Sequence, residues 1–103
     1  MSEVAGTLHA PELPESGAPV RVKFLGDLLR VEGAGTQDVH AETLEVSVIG
    51  FNDDTLQLAW QKDDGTHAVI ISDAAAQRAL VENAPPGFAR KLRAGRALSL
   101  IHI

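Results

Sequence analysis

A run of alternating apolar and polar residues between Val20 and Ile71 constrains the fold more than any other feature of this 103-residue chain. Apolar side chains at every second position place one face of a β-strand in a core and leave the other face in solvent. Short sequences rich in Gly, Asn and Asp interrupt the alternation, and such sequences are typical of tight turns between strands. This part of the chain is therefore predicted to form short antiparallel strands and not a helical bundle.

The register of the first hairpin follows from its turn, Gly26-Asp27, which suits a two-residue connection because glycine accepts a positive φ. This turn pairs Phe24 with Leu29 and Lys23 with Arg30. One face of the hairpin is then apolar and the other is charged. Because a shift of one residue would bury the charged face, we expect this register to be fixed.

A second hairpin is predicted around Asp64-Gly65, a pair that favours a type I′ turn. With this turn, Trp60 lies opposite Val69 and Leu58 lies opposite Ile71, so that apolar cross-strand pairs join the two strands. Trp60, the single tryptophan of the chain, is therefore expected in the core.

The elements around these hairpins are less regular. Gly33–Asp38 is predicted to be a loop from its composition, and Leu44–Phe51 is predicted to be a further strand. A helix is expected over about residues 73–83, because helix-forming residues follow Ser72, which is suited to the N-cap. A short basic helix over about residues 87–94 follows the Pro-Pro-Gly sequence that ends the first helix.

The chain is predicted to consist of an extended N-terminal arm, residues 1–18, and a single β-rich domain, residues 19–103. Prolines in the arm cannot donate hydrogen bonds to a sheet, although Gly6–Ala10 can add a strand at its edge. Ala97–Ile103 is predicted to form a last strand, through which two copies of the chain can pair as a homodimer.

The elements together predict an α+β fold that is mostly β. Its form is an antiparallel curved sheet or half-open barrel of about five to seven strands with a C-terminal helix. A helix over one mouth of such a barrel is the pleckstrin-homology layout, which this order of elements resembles.

Charge is unevenly distributed along the chain, whose net charge is −5. Residues 1–87 contain all 14 acidic residues, whereas residues 88–103 contain four basic residues and no acidic one. An acidic body argues against nucleic-acid binding, which needs a broad basic face. The basic end suits an acidic protein, an anionic membrane surface or the C-terminal dipole of a helix.

No arrangement of residues points to catalysis, to a cofactor or to a metal site. The chain has no cysteine, and its histidines lack the spacing of a helical ligand pair. His40 and Glu42 share a strand face, where solvated polar side chains are common. Asp53-Asp54 and Asp63-Asp64 stand at opposite ends of one strand, more than about 20 Å apart, too far for a shared metal or an acid–base couple. We therefore expect no enzymatic activity.

Basic residues in two places are the candidate interaction residues. On the outer face of the first hairpin, Lys23 and Arg30 stand directly opposite each other, a like-charge pair that suits either a bound anion or a simply solvated sheet face. The remaining candidates belong to the same face or to the basic C-terminal segment. The full set is Arg21, Lys23, Arg30, Arg90, Lys91, Arg93 and Arg96.

Several short motifs resemble the N-terminal domain that precedes some bacterial membrane zinc metallopeptidases of the CAAX-protease type. They are Gly6, Pro19-Val20-x-Val22, Gly26-Asp27-x-Leu29, Val46-Ser47, Asp64-Gly65 and Asp73. In that family a basic segment leads into a membrane helix, a junction that the basic residues ahead of Ala97–Ile101 resemble. The chain contains no His-Glu-x-x-His motif, so the resemblance implies the accessory domain without its peptidase.

These observations favour a non-enzymatic interaction or regulatory module that binds a protein partner or an anionic surface. The alternative is a small-ligand-binding protein or enzyme with its site in the barrel mouth, lined by Trp60 and a histidine. The N-terminus lacks the features of a signal peptide, and no window reaches the roughly 18–20 apolar residues of a membrane span. We therefore expect a cytoplasmic location, free or at the inner face of the membrane.

Overall fold

The computed structural model describes residues 3–33, 35–49, 55–88 and 90–91 of the chain. Within these ranges, seven antiparallel strands form one sheet. The strands are β1 (Val4–His9), β2 (Ala18–Leu25), β3 (Leu28–Gly33), β4 (Gly35–His40), β5 (Glu45–Ile49), β6 (Thr55–Lys62) and β7 (Gly65–Ile71). A 3-10 turn, Ala41–Thr43, links β4 to β5, and the helix α1, Ala74–Glu82, follows β7.

The sheet joins two antiparallel meanders and curls into a half-barrel. The strand order is β4-β3-β2-β1-β7-β6-β5, so the pairing of β1 with β7 connects the first four strands to the last three. Within the described residues, β4 and β5 are the two edges of this sheet.

The core lies inside the curl and is closed at one end by helical segments. The helix α1 packs on β1 and β2 and buries Leu80 completely. Phe88, which follows α1, packs edge-on against Phe24 with their ring centroids 5.1 Å apart. The opposite end, beside the turn between β6 and β7, opens into a cavity of about 610 Å³.

The predicted fold class is confirmed: the chain forms a curled antiparallel sheet with a C-terminal helix. The predicted register of the first hairpin is also confirmed, because Phe24 pairs with Leu29 and Lys23 pairs with Arg30. Gly26 has a φ of 60° in the turn, a value that glycine adopts without strain. The strand order is consistent with a pleckstrin-homology layout, and that finer assignment stays a prediction.

The N-terminal region differs from the extended arm that the sequence predicts. The strand β1 lies in the centre of the sheet, between β2 and β7, and not at an edge. Pro11 and Pro14 lie outside this strand, and Gly17 N–H donates to Pro14 O at 2.8 Å to close a turn. Gly6 lets β1 approach β7 closely, because a Cβ at this position would lie 3.0 Å from Val69 Cγ1.

The segment Gly33–Asp38, predicted to be a loop, instead contains the first residues of β4. The prediction was wrong because β4 is an edge strand whose side chains are mostly polar. Val39 is its one buried residue and pairs with Leu29 of β3. A composition of this kind is shared by loops and by strands that face solvent on most sides.

The second hairpin differs from its predicted register by two residues. Its turn is Asp63-Asp64, so that Trp60 lies opposite His67 and Leu58 lies opposite Val69. Because side chains alternate with a period of two, this shift keeps the same residues on the inner face. The apolar pattern therefore cannot distinguish the two registers, and the observed one places a histidine beside the tryptophan.

The helix α1 begins at Ala74, close to the predicted start, but Asp73 and not Ser72 is its N-cap. The Asp73 side chain accepts a hydrogen bond from Ala76 N–H at 2.8 Å. An aspartate in this position also places a negative charge at the positive end of the helix dipole.

Several predictions concern residues outside the described ranges. Residues 86–88 and 90–91 are helical and are the described part of the predicted basic helix. The predictions that fall outside are those for Phe51, Asp53-Asp54, Arg93, Arg96 and Ala97–Ile103, including the homodimer through that last strand.

Candidate functional site

An open groove separates β4 from the last residues of β6, and we call it the seam groove. The strand β5 begins opposite Ala59, so residues 60–62 of β6 have no described strand beside them on that side. Two cavities, of about 610 and 490 Å³, meet in this gap. Their shared walls are Thr36, Gln37, Gln61 and Lys62. The seam groove is thus bounded by residues 36–40 of β4 and residues 60–62 of β6.

The backbone of β4 directs hydrogen-bonding groups toward this groove, and among them the His40 carbonyl oxygen accepts from Thr43 Oγ1 at 2.8 Å. Ala41 N–H donates to Asp27 O at 2.8 Å and so continues the ladder between β3 and β4. Because bonding alternates along an antiparallel pair, residues 37 and 39 also bond to β3. The residues whose N–H and C=O groups point away from β3 are therefore Thr36, Asp38 and His40.

The strand β6 forms the opposite wall. Its two-residue turn makes Lys62 and Gly65 a hydrogen-bonded pair, so Lys62 bonds to β7 and Gln61 directs its backbone groups toward the groove. A hydrogen bond of 3.2 Å from Lys62 Nζ to Gln37 Oε1 crosses the groove. Both walls therefore supply backbone donors and acceptors, and one side-chain bond links them.

At the open end of the half-barrel the groove widens into a region that we call the mouth. Its walls include Leu8, Ala10, Glu12, residues 61–64 and His67. The turn after β1 packs on the turn between β6 and β7, since a Cβ on Gly65 would lie 3.0 Å from Pro11 Cγ. This packing gathers the carboxylates of Glu12, Asp63 and Asp64 around one cavity, although they come from two distant parts of the chain.

His67 lies in the wall of the mouth with 5% of its surface exposed. Its Nε2 is 2.8 Å from Asp64 Oδ1, and its ring centroid is 5.9 Å from that of Trp60. The hydrogen bond from His67 lowers the pKa of Asp64, and a hydrogen bond involving Glu12 acts in the same direction. Asp64 is therefore an anion at neutral pH and accepts the proton on Nε2.

Two buried polar atoms on β6 and β7 have no hydrogen-bond partner among the described residues. They are His67 Nδ1 and Trp60 Nε1. In a neutral ring that donates from Nε2, Nδ1 is an acceptor, whereas the indole N–H of Trp60 is a donor. Both atoms have almost no accessible surface, so each is a buried polar group whose hydrogen-bonding capacity is unused among the described residues.

Each basic residue of the first hairpin lies beside a carboxylate, although Arg21 and Lys23 share one. Arg30 donates to both carboxylate oxygens of Asp38, at 2.9 and 3.2 Å, and this hydrogen bonding lowers the pKa of Asp38. Arg21 and Lys23 lie 3.5 and 3.9 Å from the carboxylate of Glu3. The unfavourable Lys23–Arg30 pairing is thus offset within the sheet.

The basic C-terminal candidates have different surroundings. Lys91 Nζ donates to the backbone oxygens of Ala41 and Leu44, at 3.2 and 2.9 Å, and also to that of Glu42. Its ammonium group therefore holds the segment after α1 against the link between β4 and β5. Arg90 is exposed.

The edge of β4 and the pairing of His67 with Trp60 are the parts of the site that the sequence did not predict. A turn at Asp63-Asp64 pairs the two rings, but the sequence is equally compatible with the turn at Asp64-Gly65. The pairing therefore could not be predicted. His40, predicted to be a solvated strand residue, is exposed and lies on the seam groove.

Neither a metal site, nor a membrane helix, nor a similar protein points to a function for the described part of the chain. Across residues 3–33, 35–49, 55–88 and 90–91, no cluster of three His, Asp or Glu side chains could hold a metal ion. In the same ranges, no helix combines the length and the apolar character needed to cross a membrane. Comparison with known protein families, curated proteins and solved structures finds no match to this chain.

Proposed function

We propose that this domain is a non-enzymatic interaction module that binds an extended segment of a partner protein in the seam groove. The observation that carries the proposal is the edge of β4 that pairs with no described strand, where the backbone groups of Thr36 and Asp38 and the N–H of His40 point toward a gap. An extended peptide placed there adds a strand to β4 and reaches Gln61 on the other wall. Main-chain hydrogen bonds of this kind supply the affinity in strand-addition complexes.

The form of the groove supports a strand-like partner over a compact one. The groove continues from the 3-10 turn at Thr43 to the mouth, along the whole free edge of β4. Exposed edge strands of this kind pair readily with other chains, and folded proteins usually protect them with prolines, bulges or covering elements. The sequence of β4 contains no proline.

The pairing of the basic residues favours a protein partner over an anionic surface. Arg21, Lys23 and Arg30 already have carboxylate partners, and the ammonium group of Lys91 is held by backbone oxygens. Exposed ion pairs of this kind can exchange partners at little cost, so an anionic vesicle remains the competing ligand to be tested.

The test uses two substitutions of one residue. His40 has a φ of −63°, the value that proline requires, and its N–H points into the groove. His40→Pro should therefore fold normally and remove one backbone donor, whereas His40→Ala removes only the side chain. Peptides selected from a random phage-displayed library on the immobilised native protein serve as probes.

For such peptides we expect the dissociation constant to rise about tenfold in His40→Pro, because one well-placed hydrogen bond is lost. In His40→Ala it should stay within about twofold of the native value. Gln37→Pro is the folding control, because its N–H bonds to β3 and its loss should lower the free energy of unfolding. Equal binding to native protein and His40→Pro contradicts the proposal, and so does a selection that yields no peptide. Sedimentation with phosphatidylserine-containing vesicles, lost on changing Arg90, Arg93 and Arg96 to Ala, supports the anionic surface instead.

A small ligand in the mouth is the second candidate, favoured by the neighbouring rings of Trp60 and His67, tilted by 30° to each other, and by the 610 Å³ cavity that His67 lines. A ligand that binds only the folded protein raises the midpoint of thermal unfolding. A thermal-shift screen with divalent metals and common metabolites tests this candidate. A rise of several degrees that His67→Ala abolishes supports it, and no rise with any compound argues for the peptide alone.

A further inference from the structure

We infer that Lys91 is a positioning residue for the seam groove. Its ammonium group holds the link between β4 and β5 in the turn that sets the width of the groove at its closed end. This inference rests on the proposed function and names the residue that controls the shape of the binding site.

The link, residues 41–44, joins the two edges of the described sheet across the seam. The strands β4 and β5 follow each other in the chain but lie at opposite edges of that sheet. Ala41–Thr43 is a 3-10 turn, which rises about 2 Å per residue, whereas an extended chain rises about 3.3 Å. Unwinding its three residues would lengthen the link by about 4 Å, close to the spacing of about 4.8 Å between neighbouring strands. The conformation of the link therefore determines how far apart the two edges stand.

Lys91 supplies most of the described hydrogen bonds that hold this turn. Within the turn, Leu44 N–H donates to Ala41 O at 3.2 Å. Lys91 Nζ donates to three backbone oxygens of the link, those of Ala41 at 3.2 Å, Leu44 at 2.9 Å and Glu42. An ammonium group has three N–H donors, so all of them can be used here. Thr43, which lines the end of the groove, lies between two of the oxygens that Lys91 binds.

The segment that carries Lys91 is itself anchored in the core. Phe88 is 1% exposed and packs edge-on against Phe24, with their ring centroids 5.1 Å apart. Phe88 N–H also donates to Pro85 O at 3.0 Å. The ammonium group of Lys91 therefore ties the link to a fixed part of the closed end.

Lys62, the lysine toward the mouth, is placed in a different way. Its Nζ donates to Gln37 Oε1 at 3.2 Å across the groove, and its side chain is exposed. A strand that enters the groove has to replace this bond, and exchanging one exposed hydrogen bond for another costs little. Lys91 thus supports the groove that receives the strand, whereas Lys62 partly blocks it.

The first test compares Lys91→Met with Lys62→Met in the full chain, using a library-selected peptide as the probe. Methionine has nearly the length of lysine and no N–H donor. We expect the dissociation constant to rise about five- to tenfold in Lys91→Met, as for the loss of one well-placed hydrogen bond to the peptide. In Lys62→Met it should stay unchanged or fall by up to about threefold. Equal rises in the two variants overturn the inference.

Asp73→Ala separates positioning from a general loss of stability. Asp73 accepts from Ala76 N–H at the start of α1 and does not line the seam groove. Its substitution removes an N-cap without touching the link, so the folded protein should keep the native dissociation constant. Thermal unfolding of each variant confirms that it is folded at the temperature of the binding assay. If Asp73→Ala loses as much affinity as Lys91→Met, the inference is overturned.

Because the chain contains no cysteine, the ammonium group can be restored chemically at this one position. In Lys91→Cys, the thiolate displaces bromide from bromoethylamine and gains an aminoethyl group, which restores the length and charge of lysine. Alkylation with bromopropane gives the same length with a methyl group in place of the ammonium group. We expect the aminoethyl form to bind within about twofold of native protein and the propyl form about five- to tenfold more weakly. Equal affinities of the two forms contradict the role of Lys91.

A measurement without peptide distinguishes failure of this inference from failure of the proposed function. Hydrogen exchange at Leu44 N–H, which donates within the turn, should be about tenfold faster in the propyl form than in the aminoethyl form. If His40→Pro weakens binding and Lys91→Met does not, the inference is overturned and the strand site stands. If His40→Pro has no effect on binding, the proposed function fails, and faster exchange in the propyl form then shows that Lys91 has a structural role only.

Discussion

The two ends of the half-barrel differ in whether their buried polar groups have hydrogen-bond partners. At the closed end, Leu80 and Phe88 are buried in the core, and the ammonium group of Lys91 is held by three carbonyl oxygens. Toward the open end, His67 and Trp60 each bury a nitrogen that has no partner among the described residues. The closed end therefore provides packing and hydrogen bonds that stabilise the domain, whereas the buried nitrogens toward the open end lack such hydrogen bonds among the described residues.

Truncating one side chain at each end of the half-barrel tests this difference directly. Leu80→Ala should lower the free energy of unfolding by about 2–5 kcal/mol, because it creates a cavity where α1 meets the sheet. Gln37→Ala, at the groove, removes only the exposed bond to Lys62 and should cost less than about 0.5 kcal/mol. Urea denaturation followed by tryptophan fluorescence measures both. Similar losses at the two sites would show that the open end is as important for stability as the closed one.

The N-cap of α1 contributes less to the stability of the closed end. Asp73→Ala should lower the free energy of unfolding by about 1 kcal/mol, since it removes the acceptor for Ala76 N–H and a negative charge at the start of α1. Ser72→Ala is the matched control and should change it by less than about 0.5 kcal/mol. Urea denaturation again gives the values. A larger loss in Ser72→Ala would restore that residue as the N-cap.

The smallest expected effect concerns the edge of the seam groove at low pH. The hydrogen bond from Arg30 lowers the pKa of Asp38 in the folded protein, so the carboxylate contributes stability above its unfolded pKa of about 4. This contribution is lost as the pH falls through the lower folded-state pKa. The free energy of unfolding, measured by urea denaturation between about pH 5 and pH 2, should therefore fall less steeply in Asp38→Asn than in the native protein.

Arg30→Gln is the partner variant in this measurement, because it removes the cause of the lowered pKa and leaves the carboxylate. It should flatten the acid dependence to the same extent as Asp38→Asn. If neither substitution changes the pH dependence of the free energy of unfolding, the Arg30–Asp38 ion pair does not lower the pKa of Asp38 on folding.

The prediction from sequence was successful where neighbouring residues decide the structure. The first hairpin has its predicted register, since Gly26 determines the turn and a slip would bury Lys23 and Arg30. The register of the second hairpin was predicted wrongly, because turns at Asp63-Asp64 and at Asp64-Gly65 leave the same side chains inside. That difference of two residues concealed the pairing of His67 with Trp60 and with it one wall of the candidate site.

The position of β1 shows a second kind of limit. Nothing local to residues 4–9 indicates that this strand will lie between β2 and β7, because the pairing with β7 joins segments that are far apart in the sequence. The polar edge strand β4 is hidden for a related reason. It forms a strand because it pairs with β3, and its mostly polar side chains do not indicate that pairing.

The sequence by itself determined that the chain forms a curled antiparallel sheet with one closing helix, because alternation, turns and caps act over a few residues. Only the tertiary structure decided which strands meet, where the sheet stays open and which charges surround the opening. The carboxylates of Glu12 and Asp64 come together because the turn after β1 packs on the turn between β6 and β7. Contacts between distant segments depend on the packing of the whole domain, so no short stretch of sequence contains the information that places them.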